Sequence, residues 1–486
     1  RMQYHALSLV NAGATVTLIG YDGEKCIDAL ENNERVVQYR FAPFEPSNWL
    51  ARLPYALRVI LKLIVLALKL LFALFRASYE LGSNKADHGS SRRQKKRLIL
   101  VQTPPALPTL PIAWLVGRLT GARVLVDWHN LGHTCLSYAL RKKQGFSGKR
   151  LPFTVNIYRL LEHCFGALAD AHICVTRALQ QHLAAAGNAI PRGVDSPPPP
   201  PKLFAVAATT LHDRPLSAFK RISDVATKHE LFRRLDCQLG LREAFFGGSD
   251  VGETTAFTVS AKQLRPDRPA LVVSSTSWSD DEDLMVLLDA LELYAARSKT
   301  QLAETSIGAN ASHLPRLAVI ATGKGPNRAA FERRVADLTR QGTFNDERSG
   351  YASIVVRTVW LASGDYPLLL GCSDVGVSMH GSTSGLDLPM KVVDLFGAGT
   401  PAIALRFPCI DELVCDAYTS PKQGTALSNG LTFSDASGLC DALTDALASF
   451  PDALLLRKLT EGAGALEHWE DNWDRVALPL IVDLVL

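Results

Sequence analysis

The residues best suited to chemistry lie between His380 and Pro401, in the run HGSTSGLDLPMKVVDLFGAGTP. Gly381 and Gly385 permit a tight turn and let the backbone approach a ligand, while Ser382, Thr383 and Ser384 set hydroxyls beside main-chain N–H groups. Pro389 suits the first turn of a helix with Asp387 or Leu388 as its cap, and Lys391 and Asp394 fall three apart on one side of that helix. Unpaired N–H groups at such a helix start stabilise an anion by roughly 0.3–2 kcal/mol. The spacing fits a phosphate cradle at the end of a strand, and a tight connection without a ligand fits the same residues.

Two further turns follow aliphatic runs: Ser275-Thr276-Ser277 after Leu271–Val273, and Gly323-Lys324-Gly325 after Ala318–Thr322. Earlier, Ala122–Asp127 runs into Trp128-His129, which sets Asp127 and His129 at a strand's carboxyl end, and Glu162 falls on a segment of helical period. In a parallel sheet those ends border the ligand crevice. A histidine there exchanges a proton near neutral pH, and a carboxylate accepts one or orients the ring. A solvated lysine and an exposed helical glutamate are the plainer readings of Lys324 and Glu162.

The elements that must position these groups alternate strand and helix along most of the chain, which predicts α/β domains with parallel sheets. A first domain over 1–255 and a second over 268–450 are expected, joined through the polar stretch 247–268. A helical tail over 451–486, with Trp469 and Trp473 in one packing stripe, is expected to cross back to the first domain. Ser279 and Glu282 have the spacing of a capping box for the helix carrying Leu284, Leu287, Leu288 and Leu291.

Leu50–Arg76 holds a strongly apolar run in which Arg58, Lys62, Lys69 and Arg76 fall within about 40° of one another on a helical wheel. Each central cation opposes spanning by about 2.5–3.5 kcal/mol, whereas a helix lying in the membrane interface lets them meet headgroups. A polar stretch ending in the basic run Arg92–Arg97 follows, and Ser196–Pro201, with five consecutive prolines, is expected to be a loop or rigid spacer.

At 486 residues with 47% apolar and 21% charged residues, the chain is globular and of multidomain size. A net charge of +4 argues against a dedicated nucleic-acid binder, and nine cysteines without a CxxC pair favour free thiols in a reducing compartment.

The wording of several segments closely resembles the chitobiosyldiphosphodolichol β-mannosyltransferase family. The resemblance is carried by HGSTSGLDLPMKVVD, by SSTSW at 274–278 and TGKGP at 322–326, by DWHN at 127–130 and LEHCFG at 161–166, and by DRP at 213–215 and RMQYH at 1–5. It implies a GT-B glycosyltransferase with two Rossmann-like domains facing a cleft. Because the family has a glycine-containing turn and a first strand before RMQYH, it also implies an N-terminal domain incomplete at its start. The implied reaction moves mannose from GDP-mannose to N,N'-diacetylchitobiosyl diphosphodolichol, forming a β-1,4 link with inversion.

On that resemblance the donor meets Ser275, Thr276, Ser277, Lys324, His380, Gly381, Ser382, Thr383, Ser384, Gly385, Asp387, Lys391 and Asp394. Asp394 falls where related transferases place a ribose-binding acid, and Asp387 is one residue out of register with that pattern's first acid. The catalytic base is expected among His129, Asp127 and Glu162. No metal ligand set stands out, and a Mg²⁺ requirement stays open. Membrane lipid and other mannosyltransferases of the dolichol pathway are the expected partners, nucleic acid is not, and the expected location is the cytosolic face of the endoplasmic reticulum membrane. A lipid-linked GT-B transferase with a different donor, and a non-catalytic scaffold, are the competing readings.

Overall fold

A computed structural model describes every residue except 24, 44–53, 84–96, 145–151, 186–200, 248–253, 280–281, 306–313, 346–350, 420–426 and 486. The proline spacer, apart from Pro201, and the basic run, apart from Arg97, lie outside the described residues. The chain divides into two compact units. The first comprises Arg1–Asp213, Thr383–Asp387 and Trp469–Leu486, and the second Arg214–Ser382 and Leu388–His468.

Among the described residues six strands, all in parallel pairs, carry the first unit: β1 (Val16–Tyr21), β2 (Val36–Phe41), β3 (Leu98–Thr103), β4 (Arg123–Trp128), β5 (Ala171–Cys174) and β6 (Thr209–Thr210). β1 pairs with β2, and the others form a sheet in the order β3-β4-β5-β6. β4 is buried from Val124 to Trp128, as expected of an aliphatic strand covered on both faces. The terminal helix Trp469–Val485 packs on the first helix, Met2–Asn11: Trp469 Nε1 donates to Ser8 Oγ at 3.0 Å, and Trp473 Nε1 donates to His5 Nδ1 at 3.0 Å. Both indoles are fully buried.

Among the described residues the strands of the second unit are a small antiparallel pair, β7 (Thr258–Ser260) and β8 (Gln263–Leu264), followed by six parallel strands: β9 (Ala270–Ser275), β10 (Leu317–Thr322), β11 (Ile354–Val359), β12 (Val375–Ser378), β13 (Ala402–Leu405) and β14 (Gly430–Phe433). Their order is β11-β10-β9-β12-β13-β14. The chain steps outward from β9 to β11, returns to β12 beside β9, and steps outward again. The connections therefore diverge between β9 and β12, and a crevice opens at the carboxyl ends of those two strands.

The unit boundary differs from the sequence expectation. Polar composition suggested a link at 247–268, yet the chain enters the second unit at Arg214. The helix Val225–Leu239 packs on β7 and β11, and Phe232 meets Phe257 at a ring-centroid separation of 4.2 Å, so the described part of the polar stretch, with Thr255–Thr258 buried, belongs to a packed core. Residues 451–468 also belong to the second unit.

The helix Tyr55–Ser83 packs on β1 and the helix Thr109–Thr120, with Ala73 and Ala77 buried. Two of its four cations turn toward the protein: Lys69 Nζ donates to Ala42 O at 3.0 Å, and Arg76 lies over the Tyr39 ring at 4.9 Å.

In the second unit, two strand-end loops touch backbone to backbone. A Cβ at Gly323, where φ is +147°, would lie 1.7 Å from Thr276 O, and one at Gly325 would lie 2.0 Å from Ser277 O. Gly323→Ala is therefore expected to lower stability by about 3 kcal/mol or more. Gly464→Ala, where a Cβ meets nothing within 4 Å, should stay within about 0.5 kcal/mol, both read from urea unfolding midpoints.

Candidate active site

At the carboxyl end of β9, the chain turns through Ser275-Thr276-Ser277 around one buried carboxylate, Glu282. Its Oε2 accepts from Thr276 Oγ1 at 2.6 Å, Ser277 N at 2.8 Å and Ser277 Oγ at 3.1 Å. Its Oε1 accepts from Lys391 Nζ, in the first turn of the helix Met390–Gly397. Glu282 also forms an isolated β-bridge with His380 at the end of β12. Through its side chain and its backbone, this one residue thus ties together the loops on both sides of the crevice. Burial raises its pKa, and the pairing with Lys391 and the hydroxyl and amide donors outweighs this and holds it below the usual glutamate value. Glu282 therefore organises the site in place of the helix cap its spacing suggested; the helix starts later, at Met285.

Tyr366 links two other sequence-named residues. Its hydroxyl lies 3.2 Å from Ser275 Oγ and 3.1 Å from Asp394 Oδ2, so the half-buried Asp394 is held toward the end of β9. Lys324 Nζ sits 4.0 Å from the centroid of the exposed Trp360 ring, just past β11. Ser275, Thr276, Ser277, Lys324, His380, Gly381, Ser382, Lys391 and Asp394 thus all belong to the second unit.

The rest of the predicted donor loop groups with the first unit. Thr383 Oγ1 accepts from Asn130 Nδ2 at 3.4 Å, and Thr176 Oγ1 donates to Leu386 O at 2.6 Å. Gly385 adopts φ +70°, the left-handed turn that its glycine allows. Asp387 does not cap the following helix, whose N-cap is Pro389 and has no side-chain cap bond. Instead its Oδ1 accepts from Ser384 Oγ at 3.3 Å.

The three acid–base candidates of the first unit occupy three different environments. Asp127 is fully buried: Oδ2 accepts from Arg1 Nε at 2.7 Å and lies 3.1 Å from His5 Nε2, and Oδ1 accepts from Arg1 Nη2 at 3.1 Å. Because Trp473 donates to His5 Nδ1, the imidazole proton sits on Nε2 and points to Asp127. Burial opposes ionisation of Asp127, and Arg1 and His5 outweigh it, so the carboxyl lies far below its usual range. Glu162 is equally buried and accepts from Gly132 N at 2.7 Å and His133 N at 3.2 Å, with His133 Nδ1 at 2.7 Å, so it fixes the start of the helix Gly132–Gln144.

His129 differs from both, with 23% of its side chain exposed and its Nε2 at 3.5 Å from Asp213 Oδ2. Asp213 is itself an ion-pair partner of Arg1, and Arg1 also donates to Leu211 O at 3.1 Å. Burial lowers the His129 pKa, and Asp213 more than compensates, leaving it above the ordinary imidazole value.

Sequence reasoning assigned no role to Arg1, Asp213 or Tyr366, and read Glu282 only as a cap. The signal for Asp213 and Arg1 was their place in the DRP and RMQYH segments; nothing in the sequence pointed to Tyr366. Among the described residues, no group of three or more His, Cys, Asp or Glu side chains is placed to hold a metal ion.

Removing the Asp127 charge leaves buried Arg1 with one of its two carboxylate partners and weakens the acceptor that faces His5. Asp127→Asn should lower stability by about 3–5 kcal/mol in urea unfolding. The carboxyl's native pKa is depressed, so its contribution is present above its unfolded pKa of about 4 and lost as pH falls through the lower native value. The acid limb of the stability curve should therefore be shallower in the variant.

Comparison with known proteins bears on this arrangement. The chain is 34% identical to the UDP-glycosyltransferase TURAN of Arabidopsis thaliana, over 100% of this chain and 95% of that protein. It is 33% identical to the mouse chitobiosyldiphosphodolichol β-mannosyltransferase, over 99% of this chain and 86% of that protein, and 32% identical to the human one, over 99% and 90%. Among solved structures it resembles Anabaena HepE bound to UDP and glucose, with a TM-score of 0.57 at 13% identity and coverage of 99% and 95%. It also resembles a UDP-forming α,α-trehalose-phosphate synthase from Burkholderia xenovorans, with a TM-score of 0.56 at 13% identity and coverage of 99% and 96%. These neighbours share its GT-B fold of two Rossmann-like domains. No protein-family model matches the chain. With a third of its residues matched along nearly its whole length to relatives of that name, the chain belongs to the chitobiosyldiphosphodolichol β-mannosyltransferase family and is a glycosyltransferase.

Proposed function

We propose that the chain transfers mannose from GDP-mannose to N,N'-diacetylchitobiosyl diphosphodolichol with inversion, forming a β-1,4 link at the cytosolic face of the endoplasmic reticulum membrane. The observation that carries this reading is the crevice between β9 and β12, where Ser275–Ser277, His380–Ser382 and the start of the helix Met390–Gly397 lie around Glu282. Breaking the sugar–phosphate bond builds negative charge on the departing diphosphate. Fixed hydroxyls, N–H groups and the Lys391 ammonium stabilise that charge more than they stabilise the bound donor. Asp394, held by Tyr366, takes the ribose.

An α-linked donor giving a β-linked product requires one displacement and a base for the acceptor hydroxyl. His129 takes this role. Its Nε2 faces Asp213, which favours the tautomer with the proton on that nitrogen and leaves Nδ1 to accept the hydroxyl proton. The imidazolium that forms is stabilised by Asp213, which Arg1 holds. Asp127 and Glu162, with their oxygens already engaged, position backbone and neighbouring side chains.

A uridine-nucleotide donor is the second reading, favoured by the name of the Arabidopsis relative. Purified protein offered phytanyl-diphosphate chitobiose should transfer mannose from GDP-mannose and ignore UDP-sugars; transfer from a UDP-sugar alone would install the second reading, and nucleotide binding without transfer would support a scaffold. His129→Ala should lower kcat about 10²–10⁴-fold with GDP binding retained. Because the base must be neutral and its pKa is raised, activity should climb with pH through an inflexion above about 6.5, and Asp213→Asn should move that inflexion downward.

A further inference from the structure

β6 ends at Thr210, so Leu211, His212 and Asp213 lie past the sheet ladder, and the last of them carries the carboxylate that faces His129. This short segment is held from several elements at once. Leu211 N donates to Cys174 O at 2.8 Å, Arg1 Nη2 donates to Leu211 O at 3.1 Å, and Asn472 Nδ2 donates to His212 O at 2.9 Å. Asn472 lies in the first turn of the terminal helix and is 3% exposed. Arg475, one turn further on, donates to Asn472 Oδ1 at 3.1 Å, which fixes the amide with its NH₂ group toward His212.

Asp213 is thereby fixed at two points. Asn472 holds the peptide that leads into it, and Arg1 binds its Oδ1, which leaves Oδ2 toward His129. At 3.5 Å the Asp213–His129 contact stands at the outer limit of a hydrogen bond, so a small displacement of the carboxylate decides whether it forms. Trp473, the next residue, reaches the other carboxylate through His5. One turn of helix thus serves both acids that flank Arg1.

We propose that Asn472 is a positioning residue for the base: by holding the His212 carbonyl it keeps the Asp213 carboxylate on His129 and so fixes how the imidazole is held for proton transfer. The charged groups that face His129 give the direction of the effect. Burial and Arg1 draw its pKa down, and Asp213, with Asp127 and its partner His5 behind it, draws it up. Cys174, pushed up to about 12 by burial, stays neutral beside them. Loosening Asp213 therefore lowers the His129 pKa. The effect on turnover rests on His129 being the base, whereas the effect on the imidazole does not.

NMR titration of the full chain with isotope-labelled histidine, the His129 signal assigned against His129→Ala, tests it. Asn472→Ala should lower the His129 pKa by about 0.5–1 unit. In transfer from GDP-mannose to phytanyl-diphosphate chitobiose, kcat should fall about tenfold with both KM values within about twofold, and the pH inflexion should move down with the imidazole. Ser8→Ala removes the acceptor of Trp469 on the same helix, away from Asp213, and should weaken helix docking while leaving the His129 pKa in place. Asn472→Ser, too short to reach His212, should act like the alanine variant. Unfolding of both Asn472 variants, or a His129 pKa that stays put in them, would overturn the proposal, as would an equal shift in Ser8→Ala. A lowered His129 pKa with unchanged transfer would keep Asn472 as the residue that positions the imidazole and remove His129 as the base.

Discussion

One guanidinium between two carboxylates governs the first unit. Arg1 is buried with Asp127 on one side and Asp213 on the other, and each carboxylate carries a histidine, His5 or His129. Charges this deep are tolerated only when matched and fully hydrogen-bonded, so the network fixes four segments of chain at once: the first helix, the end of β4, the residues after β6 and the terminal helix that reaches His5 through Trp473. The second unit repeats the device with the charge reversed. There Glu282 is the buried centre, and Lys391, Thr276 and Ser277 converge on its carboxylate while its backbone bridges His380. Each half thus sets its strand-end loops by gathering them onto one ion rather than by packing alone.

Local pattern made much of this legible from sequence. The alternation of aliphatic runs with helical spacing identified β4, β9 and β10, and the glycine-hydroxyl run after Met379 marked a turn at the end of β12. Those signals lie within a few residues of one another. The roles of Asp127 and Glu282 were not legible, because their partners lie 126 and 109 residues away and nothing local distinguishes a matched buried carboxylate from a reactive one. Tyr366 was invisible for the same reason, being one tyrosine on a short helix until the fold sets it between Ser275 and Asp394. The domain boundary was misplaced because composition reports solvent exposure, while the boundary follows packing such as that of Phe232 on Phe257.

Relatives and structural neighbours answer different questions. Neighbours at 13% identity share the course of the chain, and the switch point between β9 and β12 comes with that course whatever the donor. Relatives at about a third identity along nearly the whole chain carry the family.

The grouping of Trp469–Leu486 with the first unit has a consequence for biosynthesis. A ribosome completes all of 214–468 before it makes the two indoles that seat against Ser8 and His5. At about 5–20 residues per second, the first unit waits roughly ten seconds to a minute for its last helix, while the second is already whole. The usual vectorial order, in which the part made first matures first, is inverted. In the interval Ser8 and His5 lack their indole partners.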